Sequence, residues 1–142
     1  QVNPDLVLMG HSGSTSAQPV INLISDKIKQ NNSRLKIIIG GVFPTYHWKQ
    51  ILEENESIDY IVRGEGEEIA LHLVKAISTD DSVENVDGIA YRKEDEALIT
   101  KPSNLHSNAV LTSMFVGICQ KKMILVLFAN RTPRQVSQGQ TI

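Results

Sequence analysis

With 142 residues, 41% of them hydrophobic, and a formal net charge of -2, the sequence matches one ordinary globular domain. The charge gives no reason to expect nucleic acid, and no apolar run approaches the roughly 20 residues that span a bilayer. The single cysteine excludes an internal disulfide and any all-cysteine zinc or iron-sulfur site within this chain. The N-terminus lacks a secretory signal, so we expect a cytoplasmic location.

The first predicted unit is a buried strand, a small-residue loop and a helix. Residues 5–9 form a short apolar run that ends at Gly10, which is typical of a strand buried on both faces of a parallel sheet. From residue 16 to residue 30 apolar side chains recur at helical spacing, with Pro19 in the first turn. The spacing predicts an amphipathic helix whose apolar positions are Val20, Leu23, Ile24 and Ile28.

The same unit recurs twice along the chain. Residues 36–39 predict a second strand, which stops at Gly40 and Gly41 before a helix over 44–55. Residues 58–62 predict a third strand, followed by the loop 63–67. The helix after that loop carries its apolar face on Ile69, Leu73, Ala76 and Ile77.

This repetition predicts an α/β fold with a doubly wound, flavodoxin-like or Rossmann-like parallel sheet in a three-layer sandwich. Residues 88–92 and 97–100 predict a hairpin after the third unit. We expect a domain over 1–102 and an atypical, partly disordered tail over 103–142, although 123–129 is apolar enough for a strand.

The last third of the chain differs from the rest in charge. All 16 acidic residues lie at or before Glu96, with 9 basic ones, whereas residues 97–142 carry 5 basic residues and no acid. Two interpretations stay open for this tail. It is a truncated or frame-altered terminus, or it holds a terminal strand that covers a sheet edge.

The loop after the first strand, GHSGST over residues 10–15, is compatible with several kinds of chemistry. A strand followed by Gly-x-Ser-x and a helix is typical of an α/β-hydrolase, in which the serine, here Ser12, is the nucleophile. Ser14, however, replaces the second glycine of that motif. Only Asp59 and His106 could complete a catalytic triad. A phosphate cradle is a second option, although the P-loop lysine is absent. In a third, these hydroxyls only cap the helix of a cofactor-free, flavodoxin-like interaction domain.

Four segments together carry a more specific resemblance. The order PDLVL (4–8), IIIGG (37–41), DYIVRGEGE (59–67) and GIAYR (88–92) resembles the cobalamin-binding domain that precedes the catalytic domain of many radical S-adenosylmethionine enzymes. Within that superfamily, GHSGST and GVFPTYHW (41–48) look most like the anaerobic magnesium-protoporphyrin IX monomethyl ester cyclases of bacteriochlorophyll synthesis.

The resemblance implies that cobalamin lies over the carboxyl ends of the strands, with its nucleotide tail between them. The implied cofactor-binding residues are Ser12, Gly13, Ser14, Thr15, Gly40, Gly41, Val42, Phe43, Glu65 and Gly66. The hydroxyls would meet the tail, the glycines would let backbone approach the ligand, and Val42 and Phe43 would form an apolar wall.

Other polar residues near these loops carry simpler expectations. Glu65, Glu67 and Glu68 suit the N-terminus of a helix, and Arg63 is placed to pair with one of them. His11 lies outside the Asp-x-His-x-x-Gly pattern that supplies cobalt with a histidine, so we predict no histidine ligand from this motif. His47 and Trp48 are expected to pack or to lie on the surface.

The resemblance also implies parts that this chain does not contain. S-adenosylmethionine and an iron-sulfur cluster would belong to a catalytic domain with Cys-x-x-x-Cys-x-x-Cys, and Cys119 is alone, so we predict no catalytic residue or metal ligand here. Family domains also begin with an earlier strand and helix. The sheet is therefore expected to be incomplete, with an edge that could form a homodimer.

Overall fold

The computed structural model describes residues 4–11, 13, 15–64 and 66–103, and the backbone of 123–127. One six-stranded sheet has the order β5-β4-β3-β2-β1-β6. The strands are β1 Leu6–His11, β2 Lys36–Gly41, β3 Tyr60–Val62, β4 Ile89–Lys93, β5 Glu96–Ile99 and β6 Met123–Leu127. The helices are α1 Gln18–Asn31, α2 Val42–Glu54 and α3 Gly66–Thr79, with 3-10 turns at Thr15–Ala17 and Val83–Asn85. The predicted α/β fold is confirmed.

Strand alternation divides the core into two layers. The side chains of Val7 and Met9 in β1 point to the face of the sheet that α1 and α2 cover. There they form one buried cluster with Ile21 of α1 and Leu52 of α2. The intervening residues belong to a second cluster on the opposite face, where α3 packs. Helices therefore cover both faces of the sheet, as a three-layer sandwich requires.

The buried face of α1 differs from the predicted one. Val20 and Leu23 are 48% and 60% exposed, whereas Ile21 and Ser25 are fully buried. Ile24 and Ile28 pack against the core as expected. The prediction was wrong at Val20 and Leu23 because the buried face of α1 includes a serine. The apolar residues alone therefore do not identify which face packs against the sheet.

The two edges of the sheet are formed by different parts of the chain. On one side β4 pairs antiparallel with β3, and β5 with β4, so the predicted hairpin extends the main sheet. Glu94 and Asp95 both have positive φ in its two-residue turn. On the other side β6 pairs parallel with β1, Leu6 opposite Met123 and Gly10 opposite Leu127. The strand predicted within 123–129 is confirmed, and it lies along the edge that was expected to be uncovered.

Polar contacts hold the amino end of the parallel strands. The Asp59 carboxylate accepts a hydrogen bond from the Ile37 amide at 2.8 Å and pairs with Lys29 at 2.7 Å and Lys36 at 3.2 Å. On the neighbouring strand, Arg92 donates to the carbonyls of Leu52 and Asn55 at the C-terminus of α2, the second at 3.1 Å. The bond to Leu52 satisfies a carbonyl that the helix end would leave without a partner, and the Asn55 carbonyl also accepts from the Ile58 amide at 3.4 Å.

No helix in the described part of the chain is long and apolar enough to cross a membrane.

Candidate functional site

The carboxyl ends of β1 and β2 approach each other closely at His11 and Gly41. Gly41 has φ 125° and ψ -178°, a region that only glycine occupies readily, and a Cβ atom there would lie 2.3 Å from the His11 carbonyl oxygen. At Gly40 a Cβ atom would be 3.6 Å from the Val62 Cβ, an ordinary contact. The close approach that requires glycine at position 41 is therefore between two segments of this chain.

Three aromatic rings stack at this edge. The His11 and Phe43 rings have centroids 4.9 Å apart at 13°, and the Phe43 and His47 rings have centroids 4.1 Å apart at 11°. His47 Nδ1 lies 3.0 Å from the Phe43 carbonyl, and because a carbonyl only accepts, this nitrogen carries the proton. The stack runs from the buried His11 to the exposed His47, which also lines a 410 Å³ groove on the outside of α2.

The His11 ring has one bonded nitrogen and one unpartnered nitrogen. The side chain is only 5% exposed, and its Nδ1 accepts a hydrogen bond from the Gly13 amide at 3.1 Å. In neutral imidazole the other nitrogen, Nε2, then carries the hydrogen. Nε2 is buried and has no hydrogen-bond partner among the residues that the structure describes. Burial lowers the pKa of His11 and so favours this neutral form.

A threonine joins the loops that follow β2 and β3. Thr45 Oγ1 donates to the Gly41 carbonyl at 2.8 Å and accepts from the Gly64 amide at 3.1 Å. Arg63 donates from Nε to the Thr45 carbonyl at 3.4 Å, and its guanidinium carbon lies 5.6 Å from the Trp48 ring centre. The expected pairing of Arg63 with Glu67 or Glu68 is not among the ion pairs of the described residues. Both glutamates lie in the first turn of α3, as predicted.

Several sequence-predicted residues meet at this edge. Gly13 is exposed, and a Cβ atom added to it would come within 3.9 Å of the Val42 Cβ, so the loop after β1 lies near the start of α2. Val42 is 66% exposed beside the partly buried Phe43. Thr15 opens the first 3-10 turn, and Gly66 begins α3 next to the Val62 side chain. Ser12, Ser14 and Glu65 lie outside the described residues.

No ligand role was predicted for His11, Thr45 or His47. One signal was available, because Phe43 and His47 are four residues apart at the start of a helix and so share a face. His47 has non-helical backbone angles, φ -108° and ψ 19°, within α2. No sequence pattern indicates the His11 contact, which depends on strands meeting through the fold.

The geometry does not favour the hydrolase alternative. The proposed triad acid, Asp59, lies at the opposite end of the sheet and is engaged by two lysines and a backbone amide. His106 lies outside the described residues. Within those residues, no group of three or more potential metal-binding side chains occurs.

The family model of the B12 binding domain matches residues 1–74, which is more than half of the chain and includes the ends of β1, β2 and β3. The chain belongs to the B12-binding domain family. The resemblance drawn from the four sequence segments is thereby confirmed.

Relatives and solved structures agree with this assignment. The anaerobic magnesium-protoporphyrin IX monomethyl ester cyclase of Synechocystis sp. is 43% identical over 100 residues, which cover 70% of this chain and 20% of the relative. TsrM from Kitasatospora setae, a radical S-adenosylmethionine methyltransferase solved with cobalamin and a [4Fe-4S] cluster, has the same fold, with TM-score 0.63 and 20% identity over 76% of this chain and 20% of that one.

A second solved enzyme extends the comparison. The cobalamin-dependent S-adenosylmethionine radical enzyme OxsB, solved with aqua-cobalamin, gives a TM-score of 0.56 at 25% identity over 70% of this chain and 14% of OxsB. This chain thus spans about a fifth of the length of the cyclase relative, and it corresponds to the B12-binding part of such proteins.

Proposed function

We propose that this chain binds cobalamin over the carboxyl ends of β1, β2 and β3, as the cofactor-binding part of a radical S-adenosylmethionine enzyme similar to the cyclases. The observation that carries the proposal is an unpartnered buried nitrogen at the end of β1, beside the linked loops that follow β2 and β3. His11 Nε2 has no partner among the described residues, the His11 ring stacks on Phe43, and Thr45 links Gly41 to Gly64.

The residues at this edge fit the chemistry of a corrin with a nucleotide tail. Val42 and Phe43 would form the apolar wall, and Gly13 leaves space for the ligand to approach backbone. Ser12, Ser14 and Thr15 would offer hydroxyls to the tail, while Gly40 and Gly41 shape the floor. Glu65 and Gly66 would border the site at the start of α3. When bound, cobalamin supplies a cobalt centre that can change oxidation state and carry a ligand.

The reaction of the complete protein would take place with a catalytic domain outside this sequence. Three cluster thiolates are needed to bind the iron-sulfur cluster that cleaves S-adenosylmethionine, and this chain has one cysteine. By similarity to the cyclases we propose oxidative ring closure on a porphyrin, in the cytoplasm. Homodimerisation through the edge of β1 would require β6 to be displaced, because β6 already pairs there.

Titration with hydroxocobalamin, followed by absorbance and thermal melting, tests the proposal. We expect saturable binding that raises the melting temperature. Val42→Trp fills the open side of the site and should weaken binding at least about tenfold. Leu23→Trp adds the same ring at a 60% exposed position on α1 and should leave binding unchanged. Gly41→Trp is unsuitable, since any side chain there collides with His11.

The competing functions predict different results in the same preparation. A hydrolase would be labelled at Ser12 by a serine-reactive phosphonate. A cofactor-free interaction domain would show no change of melting temperature with cobalamin. Either result, together with a flat absorbance titration, would contradict the cobalamin proposal.

A further inference from the structure

Among the described residues, three buried side-chain polar atoms have no hydrogen-bond partner. They are His11 Nε2, Gln18 Oε1 and Ser25 Oγ. A buried donor without a partner is costly, and such groups in native proteins call for an explanation. Gln18 still uses its amide nitrogen, which donates to Asn22 at 2.8 Å. Ser25 lies in the middle of α1, whereas His11 is at the carboxyl end of β1, 5% exposed and stacked against Phe43.

The hydrogen bond from Gly13 decides which chemistry His11 can offer. A backbone N–H only donates, so Nδ1 must present its lone pair to Gly13. In the neutral ring Nε2 is then protonated and has no lone pair for a metal. A histidine that ligates a metal through Nε2 usually donates from its other nitrogen, which is the reverse of this arrangement.

We propose that His11 Nε2–H donates a hydrogen bond to an oxygen of the bound cobalamin and does not coordinate the cobalt. The inference rests on the proposed cobalamin site. Its oxygen acceptors are the amide carbonyls of the corrin and the phosphate of the nucleotide tail. Because Nε2 is buried, the acceptor reaches it only when neighbouring side chains are displaced on binding while the Gly13 amide keeps its bond to Nδ1.

Two substitutions distinguish the contribution of Nδ1 of His11 from that of Nε2. In His11→Gln the side-chain amide nitrogen can stand near the position of Nε2 and keep a donor there. In His11→Asn the side-chain oxygen can replace Nδ1 as acceptor for Gly13, but nothing replaces Nε2. We expect His11→Gln to bind hydroxocobalamin within about threefold of the wild type and His11→Asn to bind about tenfold more weakly. Thermal melting of each variant without ligand checks that it is folded.

Cobinamide, which lacks the nucleotide tail, locates the acceptor. If His11→Asn also binds cobinamide more weakly than the wild type does, the acceptor is on the corrin. If the loss occurs with cobalamin alone, the acceptor is on the tail, and both results support the proposal. Equal affinity of folded His11→Asn and wild type for both ligands would overturn it, and would assign Nε2 to a buried water or to structure alone.

Electron paramagnetic resonance of the cob(II)alamin complex tests the second part. We expect the nitrogen splitting to be identical in protein grown with ¹⁴N-histidine and with ¹⁵N-histidine. A splitting that changes with the histidine isotope would show cobalt coordination and contradict the proposal. If the wild type shows no saturable binding of cobalamin, the proposed function fails and this inference falls with it. Binding by the wild type with no effect of His11→Asn removes this inference alone.

Discussion

The two ends of the parallel sheet use polar groups in opposite ways. At the amino end, Asp59 is held by two lysines and a backbone amide, and Arg92 closes the C-terminus of α2. At the carboxyl end, three rings stack beside an exposed valine, and the His11 side chain keeps a buried nitrogen without a partner.

This difference separates polar groups whose hydrogen bonds hold the fold from a polar group that has a hydrogen bond unmade. A buried polar group with all its bonds made contributes to stability, whereas an unpaired one is retained at the cost of stability. The charged residues of the amino end are therefore structural. Among the described residues, the carboxyl end holds His11 Nε2 without a partner, and it is the end at which open α/β sheets bind ligands.

The largest expected effect tests the backbone contact beneath the site. Gly41→Ala places a Cβ atom 2.3 Å from the His11 carbonyl and forces alanine to φ 125°. We expect a loss of about 3 kcal/mol in the free energy of unfolding, measured with urea. Gly40→Ala, with its nearest neighbour at 3.6 Å, should lose under about 1 kcal/mol. Equal losses of stability in the two variants would show that the close contact between Gly41 and the His11 carbonyl does not exist.

A somewhat smaller effect is expected at the amino end. Asp59→Ala removes three interactions and leaves Lys29 without its partner at 2.7 Å, so we expect a loss of about 2 kcal/mol in stability. Glu53→Ala breaks an exposed ion pair with Lys49 and should cost under about 0.5 kcal/mol. Affinity for cobalamin should be unchanged in Asp59→Ala at temperatures where it is folded. A specific loss of affinity would break the distinction between the two ends.

The link between the second and third loops predicts a smaller change. Thr45→Val keeps the shape of the side chain but removes the bonds to the Gly41 carbonyl and the Gly64 amide, which should cost about 1 kcal/mol. Amide hydrogen exchange at Gly64 should become faster. Thr45→Ser retains the hydroxyl and should keep Gly64 protected, and slow exchange in the valine variant would show that the link is unimportant.

The smallest effect is the pH dependence of stability. Burial lowers the pKa of His11 below its ordinary value of 6.5, so the unfolded chain binds a proton more readily than the folded one. Stability from this group is therefore fully present above pH 6.5 and declines as the pH falls through the folded-state pKa. The melting temperature of His11→Gln should fall less than that of the wild type between about pH 7.5 and pH 5.5. If the melting temperatures of His11→Gln and the wild type fall by the same amount over this pH range, His11 does not titrate in this way.

The fold could be predicted because its signals are local. Apolar runs that stop at Gly10 and Gly40 mark strands that end in loops, and the three repeats together fix the α/β class. The face of α1 was missed because Ser25 is a polar residue in a fully buried position. Spacing alone could not distinguish that face from the neighbouring one.

The site could be predicted only in outline. The sequence places small residues at the ends of the strands, but the His11 environment arises where Gly41 and Phe43, some thirty positions away, meet β1 in space. The missing partner of Nε2 is likewise a property of packing, because it requires burial of the ring together with the Gly13 contact. Only the four-residue spacing of Phe43 and His47 was visible in the sequence.

Hydrogen exchange with and without hydroxocobalamin tests most directly whether the ligand binds at the carboxyl end. We predict increased protection of the amides of Gly13, of residues 41–43, of Thr45 and of Gly64, with no increase at Ile37 beside Asp59. Protection at the amino end, or no protection anywhere in a folded chain, would contradict the account.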